Sequence, residues 1–441
     1  MFEKNHFITF AIKKPLVVNR RILNLAVPNI ISNVTVPLLS MVDISLVGHL
    51  DVNSKLHIGA ISLGTMIFNF IYWGFSFLRM GTSGFAAQAF GRRDYRETML
   101  VLSRAVSVAV GGAIFLIVLQ YPIAKIGFYL LNGSKEVEAL AREYFFIRIW
   151  AAPATIGLYA LTGWFIGMQN ARIPMAIAIT VNLLNIGFNY TLIHHFGMAS
   201  DGVALGTVIA QYCGFILALT IFFKRHSDLL KYWSYKAMLE LKALKLFFSV
   251  NKNIFIRTIC LIFVMTFFTA QSADIGDTTL AVNSVLLQFF MFFSFVMDGF
   301  AYAAEALTGR FFGEQSKNKL IKTVKLLFIW GVGFASLFTL IYIFLGDRIL
   351  YLLTDNREVL NRSEAFIRWV WAIPLISFTA FLWDGIFIGA TASRSMRNAM
   401  LLSTLVFFIP VYYLLIGPMG NHGLWLAFLF FQMSRGAIQT I

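Results

Sequence analysis

A few acidic and amide side chains lie inside the long apolar stretches of this 441-residue sequence. Asp43 occurs in VPLLSMVDISLVGHL, near the outer end of the first stretch. A charge at bilayer depth costs at least about 2.5–3.5 kcal/mol, so such a residue is a candidate for function. A carboxylate there can bind a proton or Na⁺, and we predict that Asp43 couples a cation. The alternative is that it reaches the outer interface or caps a bend.

Three asparagines recur in the fifth apolar stretch, AITVNLLNIGFNYTLI. Asn182, Asn185 and Asn189 are three and four residues apart, so they share one face of a helix. An asparagine row is costly against lipid, so we expect this face to point into the bundle. It can coordinate an ion or substrate, or it can join helices through hydrogen bonds; the sequence leaves both alternatives open.

Carboxylates of the second half form another candidate polar site. Asp298 and Glu305 are seven residues apart in MDGFAYAAEALTG and therefore share a face, and Asp384 occurs in FLWDGIFIG. The sequence favours salt bridges or hydrogen bonds that hold the lobe together, with a second ion site as the alternative. Arg79 and Arg257 lie near the cytoplasmic ends of their stretches, where arginine can reach the interface, so a structural role is favoured.

The elements that position these residues are membrane-spanning helices. Of the residues, 59% are hydrophobic and 13% are charged, against roughly 25% charged in a soluble domain. Continuous apolar runs of about 20 residues match a bilayer core of about 30 Å, whereas barrel strands would alternate. We place twelve spans at 22–48, 58–84, 98–120, 145–168, 173–194, 202–223, 251–272, 280–308, 324–345, 364–389, 397–416 and 421–438.

The net charge of +15 orients the chain in the membrane. We treat four arginines, Arg79, Arg148, Arg257 and Arg368, as intramembrane and assign the other 32 of the 36 Lys and Arg residues to loops and tails. With the N-terminus inside, 25 of these lie on the cytoplasmic side and 7 outside. We therefore expect an inner-membrane protein with both termini cytoplasmic, a retained first span and no nucleic-acid partner.

The chain repeats itself. GWFIGMQNAR (163–172) matches GIFIGATASR (385–394) at an offset of 222 residues, and IWAAP (149–153) matches VWAIP (370–374). The offset contains six spans, an even number, so the halves enter the membrane from the same side as parallel repeats. The predicted domains are an N-lobe (1–223), a cytoplasmic amphipathic connector (224–250) and a C-lobe (251–441).

The repeat predicts an all-α polytopic membrane protein. Twelve transmembrane helices form two pseudo-symmetric six-helix lobes around a central cavity, and rocking of the lobes would give alternating access. This architecture favours a transporter over a scaffold or receptor. The sequence contains no HExxH, GxSxG, GxxxxGK[ST] or GxGxxG motif, so we expect neither an enzyme nor an ATP-driven pump. We expect no cofactor and no metal, apart from a possible Na⁺ at Asp43.

Five segments resemble the multidrug and toxic compound extrusion (MATE) transporters, specifically their DinF-like branch. The resemblance covers essentially the whole chain and implies antiport of organic, often cationic and amphipathic compounds against H⁺ or Na⁺. These segments are LAVPNIISNVTVPLLSMVDISLVGHL (25–50), FSFLRMGTSGFAAQAFG (75–91), NKNIFIRTICLIFVMTFFTAQSADIGD (251–277), FVMDGFAYAAEALTG (295–309) and WDGIFIGATASRSMRNAM (383–400).

The resemblance also assigns site residues. Members of this branch carry an acidic residue on the first helix, which matches Asp43, and an asparagine on the fifth helix, which matches Asn185. One turn later they commonly carry an acidic residue, where this chain has Asn189. An amide cannot take up a proton, so Asp43 remains the main titratable candidate of the N-lobe.

We therefore expect an exporter in which Asp43, with Asn185 and with Asn182 and Asn189, binds the coupling cation. Entry of the cation from outside would favour substrate release. The expected partners are small organic substrates and membrane lipids. A flippase for a lipid-linked saccharide or another amphipathic metabolite is the alternative, and a membrane-embedded enzyme would need a polar cluster that the sequence does not show.

Overall fold

A computed structural model describes residues 15–48, 54–131 and 133–441. The sequence predicts that the basic N-terminal segment is cytoplasmic. Most of that segment lies outside the described residues. The described residues form seventeen α-helices: α1 (Pro15–Gly48), α2 (Ser54–Gly91), α3 (Tyr95–Val118), α4 (Gln120–Leu131), α5 (Lys135–Arg148), α6 (Ala152–Gly167), α7 (Arg172–His194), α8 (Ser200–His226), α9 (Tyr235–Met238), α10 (Leu241–Ile275), α11 (Asp277–Gly313), α12 (Lys317–Leu353), α13 (Arg357–Ser363), α14 (Ile367–Gly389), α15 (Ser393–Leu402), α16 (Ile409–Met419) and α17 (Asn421–Thr440).

The helices confirm the all-α polytopic prediction. Within the described residues, eleven helical segments are long and apolar enough to cross a membrane. The twelfth predicted span corresponds to α17, a 20-residue helix that carries several buried polar side chains and is therefore less apolar. Each lobe holds six spans, because α5 with α6 forms the fourth span and α15 with α16 forms the eleventh.

The backbone carries the signature of the duplication. Four described residues other than glycine have a positive φ, a conformation uncommon for side chains with a Cβ atom. Arg93 (59°) and Gln315 (52°) form one pair, and Gln169 (64°) and Thr391 (54°) form the other. Both pairs are separated by the 222-residue offset of the sequence repeat. The same turns therefore follow the second and fourth spans of each lobe.

The two lobes are joined at the end of the bundle where α2 and α11 end. We call this region the closed end; it comprises residues 81–91, 163–170, 299–313 and 385–392. The Gln88 side chain of the N-lobe donates a 2.8 Å hydrogen bond to the Gly389 carbonyl of the C-lobe. In the same way, Gln169 donates a 2.7 Å hydrogen bond to the Ala306 carbonyl. Side chains of the N-lobe thus satisfy backbone groups of the C-lobe across this interface.

Glycines allow the close approach at the closed end. A Cβ atom on Gly313 would overlap the carbonyl oxygen of Gln88 in α2. We expect Gly313→Ala to lower the free energy of unfolding by about 1–3 kcal/mol, the usual effect of overpacking. Gly333 of α12 is the matched control, because no atom lies within 4 Å of its Cβ position. Thermal unfolding in detergent measures both; equal stability of the two alanine variants would contradict the close packing.

Helix α1 contacts both lobes. Its first half is buried against the C-lobe through Val18, Ile22 and Leu25, which recur at helical spacing. Asn33 then donates a 3.2 Å hydrogen bond to the Phe295 carbonyl of α11. The second half of α1, beyond Asn33, packs against α7 of the N-lobe. Helix α1 therefore links the packing of the two lobes.

Candidate cation and substrate site

Helices α1 and α7 lie side by side and run in the same direction. Asn182 donates a 2.9 Å hydrogen bond to the Thr35 hydroxyl, and Asn189 donates a 2.8 Å hydrogen bond to the Asp43 carboxylate. The partners are eight residues apart on α1 and seven apart on α7, which is about two helical turns in each case. The structure therefore places the asparagine row against the face of α1 that carries Asp43.

The asparagines form a continuous hydrogen-bond chain with α8. Asn189 donates to the Asn185 side-chain oxygen at 3.0 Å, and Asn185 donates to the Thr207 hydroxyl at 2.9 Å. Thr207 in turn donates to the Val203 carbonyl at 2.8 Å. Asn185 and Asn189 are only 1% and 0% exposed. Because its amide is held from two sides, Asn189 has a fixed orientation toward Asp43.

One oxygen of this chain has no hydrogen-bond partner among the described residues. The Asn189 Oδ1 atom is buried and accepts no hydrogen bond, although its amide group adjoins the Asp43 carboxylate. The amide nitrogen, not this oxygen, faces Asp43, so the described arrangement offers a carboxylate that can take up a proton. Ligation of Na⁺ by both groups would require the Asn189 amide to turn its oxygen toward the carboxylate.

Space for the Asn189 amide is provided by a glycine of α8. A Cβ atom on Gly206 would overlap Asn189 Oδ1. We expect Gly206→Ala to displace this amide from Asp43 and to lower gradient-driven efflux about tenfold, since overpacking costs 1–3 kcal/mol. Gly187→Ala on α7 is the control, because its Cβ position has no neighbour within 4 Å. Equal efflux rates of both variants in reconstituted vesicles would argue against a role for the amide.

Among the residues that the structure describes, Arg148 is the arginine that acts on the Asp43 charge. Arg148, at the end of α5, interacts with the Asp43 charge and donates a hydrogen bond to the Tyr144 hydroxyl. Its guanidinium also lies 5.3 Å from the centre of the Phe68 ring. Within the described residues, Asp43 makes no ion pair with a lysine or arginine. Its carboxylate is therefore influenced by a positive charge without being neutralised by a direct contact.

Asp384 of the C-lobe has a different environment. Its carboxylate is paired with Arg257 of α10 and, at 2.7 Å, with Arg435 of α17. Gln439 donates a further hydrogen bond to it at 2.9 Å. Asp384 is 4% exposed, and both arginines are buried. These contacts occupy both carboxylate oxygens with protein donors, so the arrangement of Asp384 is that of a salt-bridged structural residue.

Glu305 and Asp298 lie next to a charge of the other lobe. Arg79 of α2 approaches Glu305 at 3.8 Å and stacks over the Tyr302 ring at 4.0 Å. It also interacts electrostatically with Asp298. Asp298 is partly buried, whereas Glu305 is only 1% exposed. The Arg79–Glu305 pair therefore crosses the lobe boundary at the edge of the closed end.

The structure adds residues that the sequence analysis gave no role. Asp43 and the three asparagines form a polar cluster that we call the Asp43 pocket. Thr35, Thr207 and Arg148 adjoin this cluster, and their signal was weak because threonine and terminal arginine are ordinary in membrane helices. The prediction that Arg104 and Arg435 lie in loops or tails is wrong. Arg104 and Arg435 lie within helices and are buried, because Glu97 and Asp384 respectively pair with them.

The fold and this pocket together define a class of protein. Two six-helix lobes are arranged as parallel repeats, joined at one end, and a carboxylate and amide pocket lies inside one of them. This is the architecture of a membrane-embedded secondary transporter. The MatE family model matches residues 28–191 and 254–414, one stretch in each half. The chain belongs to the MatE family and is a MATE-family transporter.

Individual relatives cover nearly the full chain. The DNA damage-inducible protein F of Escherichia coli (strain K12) is 32% identical over 417 residues, which is 94% of this chain and 89% of that protein. The multidrug export protein MepA of Staphylococcus aureus (strain bovine RF122 / ET3-1) is 20% identical over 405 residues, 92% of this chain and 88% of that protein.

Solved structures share the fold. One is an outward-facing multidrug resistance MATE family transporter of the MOP superfamily, with a TM-score of 0.83, 18% identity and coverage of 96% of this chain and 94% of that one. Another is a mutant of the Vibrio cholerae MATE transporter VcmN, with a TM-score of 0.85, 18% identity and coverage of 97% and 96%. The twelve-helix, two-lobe architecture is thus common to all three chains.

Proposed function

We propose that this transporter exports organic, often cationic and amphipathic compounds in exchange for H⁺ or Na⁺ by alternating access. The observation that carries the proposal is the Asp43 pocket, where a carboxylate that forms no ion pair with the described residues meets the fixed Asn189 amide. The family membership and the multidrug export relative support the substrate class. The pocket offers one negative charge that a cation or a cationic substrate can use.

Competition for this charge would produce the exchange. In a low-dielectric pocket the attraction between unit charges is several times stronger than in water, so Asp43 favours one bound cation. Binding of H⁺ or Na⁺ removes the negative charge and weakens the hold on a cationic substrate. Loss of that cation restores the charge. When the cation enters the pocket from outside the cell, the substrate is therefore released to the outside, which is export.

Helix α1 would carry the change to the other lobe. Asp43 lies on its second half, while Val18, Ile22 and Leu25 of its first half are buried against the C-lobe. Pro28 and Pro37 lie inside α1 between these regions, where missing backbone hydrogen bonds permit bending. Repacking of α1 around a neutralised Asp43 would thus alter the lobe interface.

The orientation completes the proposal. Basic residues follow the ends of α2, α6 and α11 at the closed end, so we place this end in the cytoplasm. Arg92 and Arg93 lie in the turn after α2, and Arg172 and Lys317 begin α7 and α12. The protein would then be a multi-pass protein of the plasma membrane, with both termini cytoplasmic. With the lobes joined on that side, the described conformation would give the pocket access from the outside, where the cation enters.

Reconstituted vesicles test the proposal. Vesicles that contain the wild-type protein are loaded with a fluorescent cationic dye. Dye efflux is then followed after a pH gradient is imposed and, in a separate experiment, after a Na⁺ gradient is imposed. We expect efflux to accelerate with one of the two gradients and to collapse when an ionophore dissipates it. Efflux that is independent of both gradients would overturn the antiport mechanism.

A further inference from the structure

An apolar groove lies outside the Asp43 pocket, between α3 and the segment that links the two lobes. It has a volume of about 480 Å³, and its floor is formed by α2 and α3 and its wall by α9 and α10. Gly111 and Gly112 lie in the floor, and nothing lies within 4 Å of the Cβ position of Gly111. Phe115 and Phe248, which line the groove, are 57% and 52% exposed. The groove is therefore open and apolar.

The inner end of the groove is built by a buried arginine. Arg104 of α3 pairs with Glu97 at 2.6 Å and donates a 3.2 Å hydrogen bond to the Ala237 carbonyl and one of 3.4 Å to the Met238 carbonyl. These bonds fasten α9 to α3. Because Arg104 is neutralised by Glu97 and hydrogen-bonded through each of its three nitrogens, it fixes this end of the groove, and apolar side chains line most of the remainder.

The other end of the groove is basic. A second cavity of about 700 Å³ continues from it, sharing Leu244 and Phe248, and is lined by Lys245 and Lys252. The two lysines are seven residues apart, about two turns, and so lie on the same face of α10. Both are exposed, and neither forms an ion pair among the described residues. The apolar groove thus opens beside two lysines whose charges form no ion pair with the described residues.

The length of α10 places these charges at the membrane surface. Its 35 residues span about 52 Å at a rise of 1.5 Å per residue, against a hydrocarbon core of about 30 Å. Part of α10 therefore lies beyond the hydrocarbon, and we assign the beginning of the helix to this part because all three lysines of α10, Lys242, Lys245 and Lys252, occur there. Apolar residues next to Lys245, such as Leu241 and Leu246, are exposed. An occupant must therefore place its apolar part in the bilayer and its negative part at the surface.

We propose that this groove binds an anionic phospholipid from the leaflet on the connector side, with its phosphate at Lys245 and Lys252 and an acyl chain along Gly111 and Phe115. Each basic residue near an anionic lipid surface contributes roughly 1 kcal/mol. The groove buries acyl CH₂ groups, which adds apolar stabilisation. Such a lipid would contact α3 of one lobe and α10 of the other, so it belongs to the lobe boundary rather than to the substrate pocket.

Native mass spectrometry of the delipidated full-length protein tests the site. Phosphatidylglycerol and phosphatidylcholine are titrated separately, and binding of each is compared. We expect phosphatidylglycerol to bind more tightly, and the double variant Lys245→Gln/Lys252→Gln to weaken its binding about 10- to 30-fold, as expected for two charges. Gly111→Leu, which fills the groove floor from an open position, should weaken the same binding while leaving thermal stability unchanged.

The double variant Lys317→Gln/Lys322→Gln is the matched control. It removes the same charge from exposed positions of α12 at the same end of the bundle. We expect it to bind phosphatidylglycerol like the wild type. Equal loss in the control would show a nonspecific surface effect and overturn the proposal. So would unchanged binding in both groove variants, or displacement of the bound lipid by a transported cationic dye.

Discussion

Replacement of Asp43 by asparagine is expected to reduce gradient-driven efflux to the level of protein-free vesicles. Asparagine keeps the size of the side chain but cannot ionise, so the pocket loses the one charge that distinguishes its loaded and empty states. The hydrogen bond from Asn189 to this side chain can persist, because the amide oxygen of asparagine accepts it. Folding should therefore be preserved. Dye efflux under an imposed pH or Na⁺ gradient, normalised to reconstituted protein, measures the effect.

A second carboxylate variant controls for loss of charge. Asp347 lies exposed on α12, far along the chain from the pocket, and Asp347→Asn should transport like the wild type. Thermal unfolding of Asp43→Asn should match that of the wild type. Unchanged gradient-driven efflux in Asp43→Asn would remove Asp43 from the coupling mechanism, whatever the behaviour of the control.

Replacement of Asp384 by asparagine is expected to destabilise the C-lobe by about 3–5 kcal/mol. The variant leaves Arg257 and Arg435 close together and buried without the carboxylate that pairs with both. Breaking a buried ion pair in this way costs more than the pair itself contributes, because the remaining charges are desolvated. Thermal unfolding in detergent should show the loss as a clearly lowered Tm.

A double variant separates a structural role from ion binding. Adding Arg435→Gln to Asp384→Asn removes one of the two charges left without this carboxylate, so we expect the Tm to recover in part. A cation-binding role predicts the opposite pattern. Asp384→Asn would then keep the wild-type Tm and lose transport, and the second substitution would restore nothing.

Apolar length predicted the membrane spans well where a helix ends at the hydrocarbon boundary. The fifth span, predicted at 173–194, is α7 (Arg172–His194). The fourth, predicted from 145, begins at Lys135, because the charged α5 extends beyond the apolar stretch, and a 3₁₀ turn at Ile149–Ala151 separates it from α6. Hydropathy identifies the part of a helix that lies in lipid. It does not detect polar helical turns that extend the same helix beyond the lipid.

The site could be predicted in part. Helical spacing predicted that Asn182, Asn185 and Asn189 share a face, and the structure places that face against Asp43. Contacts between distant parts of the chain could not be derived, since spacing describes one helix at a time. The pairing of Asp384 with Arg257, 127 residues away, is such a contact. The sequence favours salt bridges for the carboxylates of the C-lobe, but only the fold identifies Arg257 and Arg435 as the partners of Asp384.

Equilibrium binding of a cationic dye to the purified protein tests the central claim most directly. Dye affinity is measured in detergent across a pH series and a Na⁺ series, for the wild type and for Asp43→Asn. Competition at one carboxylate predicts that the affinity of the wild type falls as one of these cations increases, and that the variant loses this dependence. The same cation dependence in Asp43→Asn as in the wild type would contradict the account.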